Sequence, residues 1–165
     1  MKVLILHQHF NTPEKGGAIR SYYLAKALVA SGIETVVITA HRDKTYQVKT
    51  IEGIEVHYLP IPYDNRFGFG ARSSAFIKYA WSAVRVADKI KHVDFCYAIS
   101  VPLTVGLAAM WNKKRTGVPF IFEVGDLWPD APIQLGFVKN YVFQQMLYRL
   151  EKSIYQSAES LVCRR

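Results

Sequence analysis

The sequence predicts an α/β fold in which a mostly parallel sheet lies between two layers of helices, a three-layer sandwich. Short apolar runs alternate with helical patterns along the chain, as in βαβ units. The runs are too short for helices, and nearly every position in them is apolar, as in strands buried on both faces. A chain of 165 residues is long enough to bury such a core in one domain.

The first half of the chain opens with an apolar strand that leads through a glycine-containing loop into a helix. A glycine at the end of that helix is a suitable C′ residue, and a β-branched strand follows it. An alternating segment around Glu52-Gly53 predicts a hairpin. The predicted elements are strand 2–7, helix 18–28, strand 34–39, hairpin 46–58 and, after a loop rich in Pro, Gly and Asn, helix 71–91.

The second half continues the alternation and stops just after a strand, so we expect the chain to be a fragment of a longer protein. Its last helix has apolar residues at helical spacing, which predicts that they pack into the core. Those residues are Tyr141, Phe143, Met146, Leu147, Leu150 and Ile154. The predicted elements are strand 94–99, helix 103–115, strand 120–124, helix 139–157 and strand 160–163.

The chain is basic, with 21 Lys and Arg against 13 Asp and Glu and a formal net charge of +8. An excess of this size indicates an anionic partner: a phosphorylated substrate, a nucleic acid or an acidic membrane surface. Nucleic acid is not favoured, because the sequence has no helix-turn-helix, zinc-finger, RNP or KH pattern.

The sequence also predicts a cellular compartment. No apolar run approaches the length of a membrane span, and the N-terminus lacks the pattern of a signal peptide. Cys96 and Cys163 lie in apolar runs, so we expect both to be buried hydrophobic residues in a reducing environment. These features predict a cytoplasmic protein that can still contact the inner face of a membrane.

Ligands of parallel α/β sheets bind in the crevice at the carboxyl ends of the strands. We therefore expect the loops 8–17, 39–43, 100–102 and 125–130 to share one edge of the sheet. That edge would bring together carboxylates, imidazoles and cations. They are Glu123, Asp126, Asp130, His9, His41, Lys15 and Arg20.

The loop before the first helix contains Gly16 and Gly17. A strand that continues through such a loop into a helix points backbone N–H groups and the positive end of the helix dipole at the crevice, which favours an anion such as phosphate. Glycine permits positive φ and a close approach of the backbone to a ligand. The spacing fits neither G-x-G-x-x-G nor a P-loop, so it indicates no particular nucleotide. A turn that only reverses the chain is the alternative.

Asp126 is the strongest catalytic candidate among the carboxylates. It lies two residues beyond an apolar strand and precedes Leu127-Trp128-Pro129, a bulky segment that would hold the loop and limit water. A carboxylate in this place can orient or deprotonate a hydroxyl group. Capping of the turn by Asp126 explains its presence equally well.

His7 and His9 are two residues apart and would share one face of a continuing strand. That spacing can bind zinc, but the sequence offers no third ligand in a recognisable pattern, so we expect no metal. His9 is better explained as a hydrogen-bonding partner of a substrate or of the loop backbone. His41 and Ser100 have weaker claims of the same kind.

Residues 66–91 mix basic and aromatic side chains, as in Arg66, Phe67, Trp81 and Arg85. Such a surface can lie on anionic lipid, with the cations at the headgroups and the aromatic rings in the interface. A helix packed into the core with an ordinary solvated basic face explains the same pattern, and we favour that interpretation.

Two stretches of the chain resemble the family 4 retaining glycosyltransferases. The first is the strand 2–7 with Pro13-Glu14-Lys15-Gly16-Gly17-Ala18-Ile19-Arg20-Ser21. The second, Phe122-Glu123-Val124-Gly125-Asp126-Leu127-Trp128-Pro129-Asp130, is similar to the D-L-W-P segment of the subgroup that builds bacterial surface polysaccharides, including transferases for N-acetylated amino sugars. The resemblance covers nearly the whole chain, and the two motifs are more specific together than either is alone.

The resemblance implies a GT-B architecture, in which two Rossmann-like domains face a deep cleft. Residues 1–165 would form the N-terminal, acceptor-side domain, and the C-terminal, donor-binding domain would be absent from this chain. Gly16 and Gly17 would approach the donor diphosphate, and Asp126 would lie near the reacting sugar. The other substrate-binding residues expected are Arg20, His9, Ser100 and Trp128.

The implied reaction transfers a hexosyl or N-acetylhexosaminyl unit from a nucleotide-sugar donor to a lipid-linked or saccharide acceptor, with retention, in polysaccharide synthesis. No metal or other cofactor is expected, because this architecture stabilises the leaving diphosphate with backbone amides, Lys and Arg. Position 125 is Gly where many relatives have Arg, so one substrate contact is missing or replaced. We expect this chain alone to be inactive. The alternatives are a non-catalytic binding module for a phosphorylated saccharide and another GT-B enzyme, such as a sugar-nucleotide epimerase.

Overall fold

The computed structural model describes residues 1–64, 66–100, 102–125 and 127–163. Over these residues the chain forms seven strands and five helices. The strands are β1 (Lys2–Leu6), β2 (Glu34–His41), β3 (Gln47–Ile51), β4 (Ile54–Pro60), β5 (Phe95–Ile99), β6 (Phe120–Val124) and β7 (Ser160–Cys163). The helices are α1 (Arg20–Ala30), α2 (Phe69–Ala87), α3 (Thr104–Thr116), α4 (Asp130–Gln134) and α5 (Tyr141–Ser157).

The strands form one seven-stranded sheet in the order β3-β4-β2-β1-β5-β6-β7. Each neighbouring pair is parallel except the β3–β4 hairpin, which is antiparallel. The predicted α/β, Rossmann-like sandwich with a mostly parallel sheet is therefore confirmed. The chain winds outward in one direction from β1 and in the other from β5, and a crevice forms at the carboxyl end of such a switch point.

Both faces of β1 are buried in hydrophobic clusters. Leu4 and Leu6 belong to the cluster that contains residues of α2, α3 and α5. Val3 and Ile5 belong to the cluster on the opposite face, with Tyr22 of α1. Successive side chains of a strand point to opposite faces, so helices on both sides of the sheet leave no position for a polar residue between Val3 and Leu6.

Tyr79 connects α2 to the sheet. Its side chain is fully buried, and its hydroxyl donates to the carbonyl oxygen of Ile38 in β2 at 2.7 Å. The same carbonyl accepts the N–H of His7, just beyond β1, at 3.2 Å. Burial raises the pKa of Tyr79 well above its usual value, so the hydroxyl remains a donor. Hydrogen bonds to this one backbone oxygen of β2 thus connect α2 and the end of β1.

The element boundaries differ little from those predicted. The short helix α4 was not predicted, and α1 begins at Arg20 rather than at residue 18. Gly32 follows α1 with a φ of 76°, as expected of a C′ glycine. Among the described residues, each helix is too short or too polar to cross a membrane.

Two packing predictions are wrong in part. Cys96 is buried as predicted, but Cys163 is exposed, because β7 is an outer strand of the sheet and all four of its residues are exposed. Within α5, Ile154 is the one buried residue. The predicted core residues nearer the start of α5 are exposed because only the C-terminal half of the helix reaches the core. They are Tyr141, Phe143 and Met146.

Gly106 in α3 sets the distance between that helix and the elements beneath it. A Cβ at this position would lie 2.6 Å from Ile154 Cγ2 and 2.7 Å from Phe122 Cε2. Real Cβ atoms do not approach other atoms so closely, and densely packed cores absorb extra volume poorly. The glycine therefore lets α3 pack directly against β6 and α5.

We expect Gly106→Ala to lower the free energy of unfolding by about 1–3 kcal/mol, because overpacking outweighs the better helix propensity of alanine. Gly70→Ala is the matched control in α2, where nothing lies within 4 Å of the added methyl group. That variant should keep its stability or gain up to about 1 kcal/mol. Urea unfolding followed by circular dichroism measures both, and an unchanged midpoint for Gly106→Ala would contradict the close packing.

Candidate functional site

A cavity of about 280 Å³, here called the smaller cavity, opens at the carboxyl edge of the sheet. Its walls come from residues 17–21 at the start of α1, from Ile99 and Ser100 at the end of β5, and from Glu123 and Gly125 at the end of β6. Parts of the predicted loops 8–17, 100–102 and 125–130 therefore meet there, as the parallel sheet requires.

The glycine pair adopts the backbone conformation that favours glycine. Gly16 has a φ of 67° and Gly17 a φ of 81°. The N–H of Gly16 donates within the loop to the carbonyl oxygens of Thr12 and Pro13, both at 3.2 Å. The N–H groups of Gly17 and Ala18 have no acceptor among the described residues, and both residues line the smaller cavity. Of the two glycines, it is therefore Gly17 and not Gly16 that has a free N–H donor.

Arg20 and Glu123 form an ion pair across the smaller cavity. Glu123 is buried, with 3% of its side chain exposed, and its Oε2 accepts the hydroxyl of Tyr97 at 2.8 Å. Arg20 is the first residue of α1, where the helix dipole disfavours a positive charge. The carboxylate of Glu123 offsets that cost, so the positive charge of Arg20 is already neutralised within the site.

Hydrogen bonds between neighbouring loops hold the rest of the smaller cavity in place. Ser100 is buried, and its hydroxyl accepts the N–H of Gly125 at 2.9 Å. Nδ1 of His7 and Oγ of Ser21 are 2.7 Å apart. Ser100 therefore fixes the start of the loop that follows β6, and its hydroxyl is engaged by protein backbone.

Asp126 lies outside the described residues, so its catalytic role stays a prediction. Its neighbours diverge: Gly125 lines the smaller cavity, whereas the half-buried Trp128 packs against the cluster that contains residues of α2, α3 and α5. Asp130 accepts the hydroxyl of Tyr148 at 2.5 Å, which joins α4 to α5. Gly125 thus borders the smaller cavity, whereas Trp128, predicted to bind substrate, contacts the core.

A second cavity of about 780 Å³, here called the larger cavity, adjoins the first and shares His7 and Ala18 with it. Its walls come from the predicted loops 8–17 and 39–43, together with β4 and the segment after it. His9 lies in this cavity with its ring centroid 4.7 Å from that of Tyr63. Burial lowers the pKa of His9 to about 4, so its ring is neutral at pH 7.

Sequence reasoning missed several residues of the larger cavity, among them Gln8, Lys49, Tyr58 and Tyr63. Gln8 is fully buried, and neither atom of its side-chain amide has a hydrogen-bond partner among the described residues. A polar residue directly after an apolar strand is a signal that could have found Gln8. The other three became neighbours of the site only because β4 lies beside β2.

The described residues contain no group of three or more His, Cys, Asp or Glu side chains placed to hold a metal ion. His7 and His9 line the larger cavity, and the ring of His7 approaches Ser21 while that of His9 approaches Tyr63. Each ring thus has a neighbour of its own.

The fold and the two cavities define a class: a Rossmann-like α/β domain with a ligand-binding crevice at the carboxyl edge of its sheet. Within that class, residues 15–164 match the glycosyl transferase 4-like domain family. The match spans most of the chain, and the chain belongs to this family.

The crystal structure of MurG from Acinetobacter baumannii is similar to this chain, with a TM-score of 0.52 and 13% sequence identity. The similarity covers 98% of this chain and 40% of that one, so the chain spans 40% of the length of that structure. At this identity the similarity shows the fold alone. No curated protein sequence matches the chain.

We expect the free energy of unfolding to fall as the pH drops from 6.5 towards 4, because the unfolded chain protonates His9 near 6.5 and the folded chain only near 4. The loss from this one group is up to about 3 kcal/mol, and it is absent above pH 6.5. His9→Gln should flatten the pH dependence over this range. Urea midpoints measure the effect, and an NMR titration of the His9 ring with a midpoint near 6.5 would contradict it.

Proposed function

We propose that this chain is the acceptor-side domain of a glycosyltransferase. The enzyme transfers a hexosyl or N-acetylhexosaminyl unit from a nucleotide-sugar donor to a lipid-linked or saccharide acceptor, with retention, in cell-surface polysaccharide synthesis. The family match supports the class of reaction. The observation that carries the proposal is the smaller cavity, which opens at the sheet edge between the start of α1 and the end of β6.

The donor diphosphate would approach the smaller cavity from a second domain. The N–H groups of Gly17 and Ala18 are available to it, and the N-terminal end of α1 adds a positive potential. Arg20 is a further candidate contact, although an anion must compete there with the buried carboxylate of Glu123. No metal is needed in this arrangement, because backbone donors take the diphosphate.

Asp126 is the proposed catalytic carboxylate, whose role would be to orient or deprotonate a hydroxyl group. Support comes from Gly125, which lines the smaller cavity and is held by Ser100 at 2.9 Å. Gly125 directly precedes Asp126 in the sequence. The chain spans 40% of the length of the MurG structure. We therefore propose that catalysis requires a longer protein with a donor-binding domain and that this chain alone is inactive.

The proposed enzyme works at the cytoplasmic face of an anionic membrane. Support comes from an aromatic and basic surface on α2 and α3. Trp81 and Trp111 are exposed and meet edge to face with ring centroids 6.4 Å apart. The Arg85 guanidinium lies 5.2 Å from the Trp81 ring centroid, and Ile77 beside them is 64% exposed. Tryptophan and arginine together suit the boundary between lipid and water.

We expect Gly17→Ala, made in the protein that includes the second domain, to reduce sugar transfer at least about tenfold, a loss of about 1.4 kcal/mol in transition-state binding. The positive φ of Gly17 strains any side chain, and a Cβ would lie 3.3 Å from Asn11 Nδ2. Release of UDP or GDP from a panel of nucleotide sugars measures the rate.

Gly32→Ala is the matched control for that experiment. Its φ of 76° is similar, and nothing lies within 4 Å of an added Cβ. It should cost stability without changing transfer by the folded protein. Equal rates for Gly17→Ala and the unsubstituted protein would contradict the proposed role of the loop.

We expect the chain to bind vesicles containing phosphatidylglycerol at low salt, and more weakly as salt rises, because cationic side chains contribute. Trp81→Ser combined with Trp111→Ser should weaken binding about fivefold or more through the loss of interfacial aromatic area. Tyr23→Ser is the control, since Tyr23 is exposed on α1 across the sheet. Co-sedimentation measures binding, and no affinity at low salt would refute the membrane proposal.

A further inference from the structure

Two lysines of the larger cavity have no carboxylate partner. Nζ of Lys15 lies 5.5 Å from the centroid of the Tyr58 ring, and Nζ of Lys49 lies 5.6 Å from the same centroid. Neither forms an ion pair with any described residue. Lys15 comes from the glycine loop and Lys49 from β3, so residues far apart in sequence bring two positive charges to one aromatic ring.

The carboxylates of the same cavity are already engaged. Asp64 accepts Arg42 at 3.1 Å, and bonds from Arg66 are the main reason that its pKa is lowered to about 2. Asp43 accepts the side-chain amide of Gln47 at 3.2 Å. Asp64 thus has a cationic partner and Asp43 a neutral one, and the lining still carries more cations (Lys15, Arg42 and Lys49) than these two carboxylates.

Both lysines are exposed, although the Tyr58 ring is buried, and a cation in contact with water is only weakly attracted to the face of a ring. A hydrogen bond from an ammonium group to a phosphate oxygen is charge-assisted and roughly twice as strong as a neutral one. Lysine side chains are long and rotatable, so both ammonium groups can leave the Tyr58 ring and reach one diphosphate. An anion would therefore displace the ring as their partner.

The neutral lining of the larger cavity also indicates a polar ligand. The amide of Gln8 is buried without a hydrogen-bond partner among the described residues, and leaving such a group unsatisfied is costly. His9 and Tyr63 present rings beside it. Aromatic rings and amides are the groups that contact the faces and hydroxyls of a sugar, and the volume of about 780 Å³ accommodates one.

We propose that the larger cavity binds a phosphate or diphosphate group of the acceptor, held by Lys15 and Lys49 over Tyr58, with the attached sugar against His9 and Tyr63. This proposal rests on the proposed transferase function and names its acceptor class as phosphorylated. It separates two anion sites: backbone N–H groups take the donor diphosphate at Gly17, and lysines take the acceptor phosphate in the larger cavity.

The test uses this chain alone and needs no sugar transfer. The probes are inorganic pyrophosphate, glucose 1-phosphate as a soluble sugar phosphate and farnesyl diphosphate as a prenyl diphosphate, with glucose as the uncharged comparison. NMR titration of backbone amides reports both the affinity and the place of binding. The variants are Lys15→Gln with Lys49→Gln and, as the charge-matched control, Lys44→Gln on the neighbouring loop.

We expect at least one phosphorylated probe to shift the amides of Lys49 and Tyr58, and the double lysine variant to weaken it about tenfold, or about 1.4 kcal/mol. Lys44→Gln should leave that affinity within about twofold. Tighter binding of farnesyl diphosphate than of pyrophosphate, which has the same charged group, would identify a lipid-linked acceptor, and tighter binding of glucose 1-phosphate than of both would identify a soluble one.

Three results would overturn the acceptor proposal: no binding of any phosphorylated probe, unchanged binding in a folded double variant, or shifts confined to Gly17 and Ala18. Circular dichroism melting confirms folding, which is expected because both lysines are exposed. The transferase proposal fails differently, through absence of sugar transfer in the longer protein, so the two outcomes are distinguishable.

Discussion

Burial of both faces of β1 is the constraint on which the rest of the structure depends. Val3 to Leu6 are each at most 4% exposed, because helices cover the sheet on both sides. Polar side chains are therefore excluded from Val3 to Leu6, and the first ones after the strand are His7, Gln8 and His9. The neighbouring parallel strands end at the same edge, which is why Ser100 and Glu123 lie there as well.

The alternation of apolar runs and helical patterns was sufficient to predict the sheet, the hairpin and most helices. A strand that is buried on both faces needs apolar residues at successive positions, and this pattern is visible in the sequence. It also placed Gly17, Arg20, His9 and Ser100 at the carboxyl edge. It failed at Cys163, since an apolar run does not reveal that its strand is the last in the sheet. Lys49 was missed because the position of β4 beside β2 depends on tertiary packing.

The two cavities differ in how their charges are balanced, although they share a wall. In the smaller one, the buried carboxylate of Glu123 neutralises Arg20, and the donors left free are backbone N–H groups. In the larger one, the carboxylates are engaged and the lysines are unpaired. Fixed backbone donors recognise the shape of an anion, whereas mobile ammonium groups recognise its charge.

The two hydrogen bonds accepted by the carbonyl oxygen of Ile38 link α2 mechanically to the edge of the sheet. The oxygen accepts Tyr79 from α2 and the N–H of His7 at the start of the site loop. Trp81, two residues beyond Tyr79, belongs to the surface proposed to meet lipid. If α2 is bound to a bilayer, the hydrogen bonds at this oxygen would therefore keep the carboxyl edge of the sheet at a fixed distance from the lipid headgroups. The reach of the acceptor's charged group from the membrane would then be set by the protein scaffold and not by the length of the lipid.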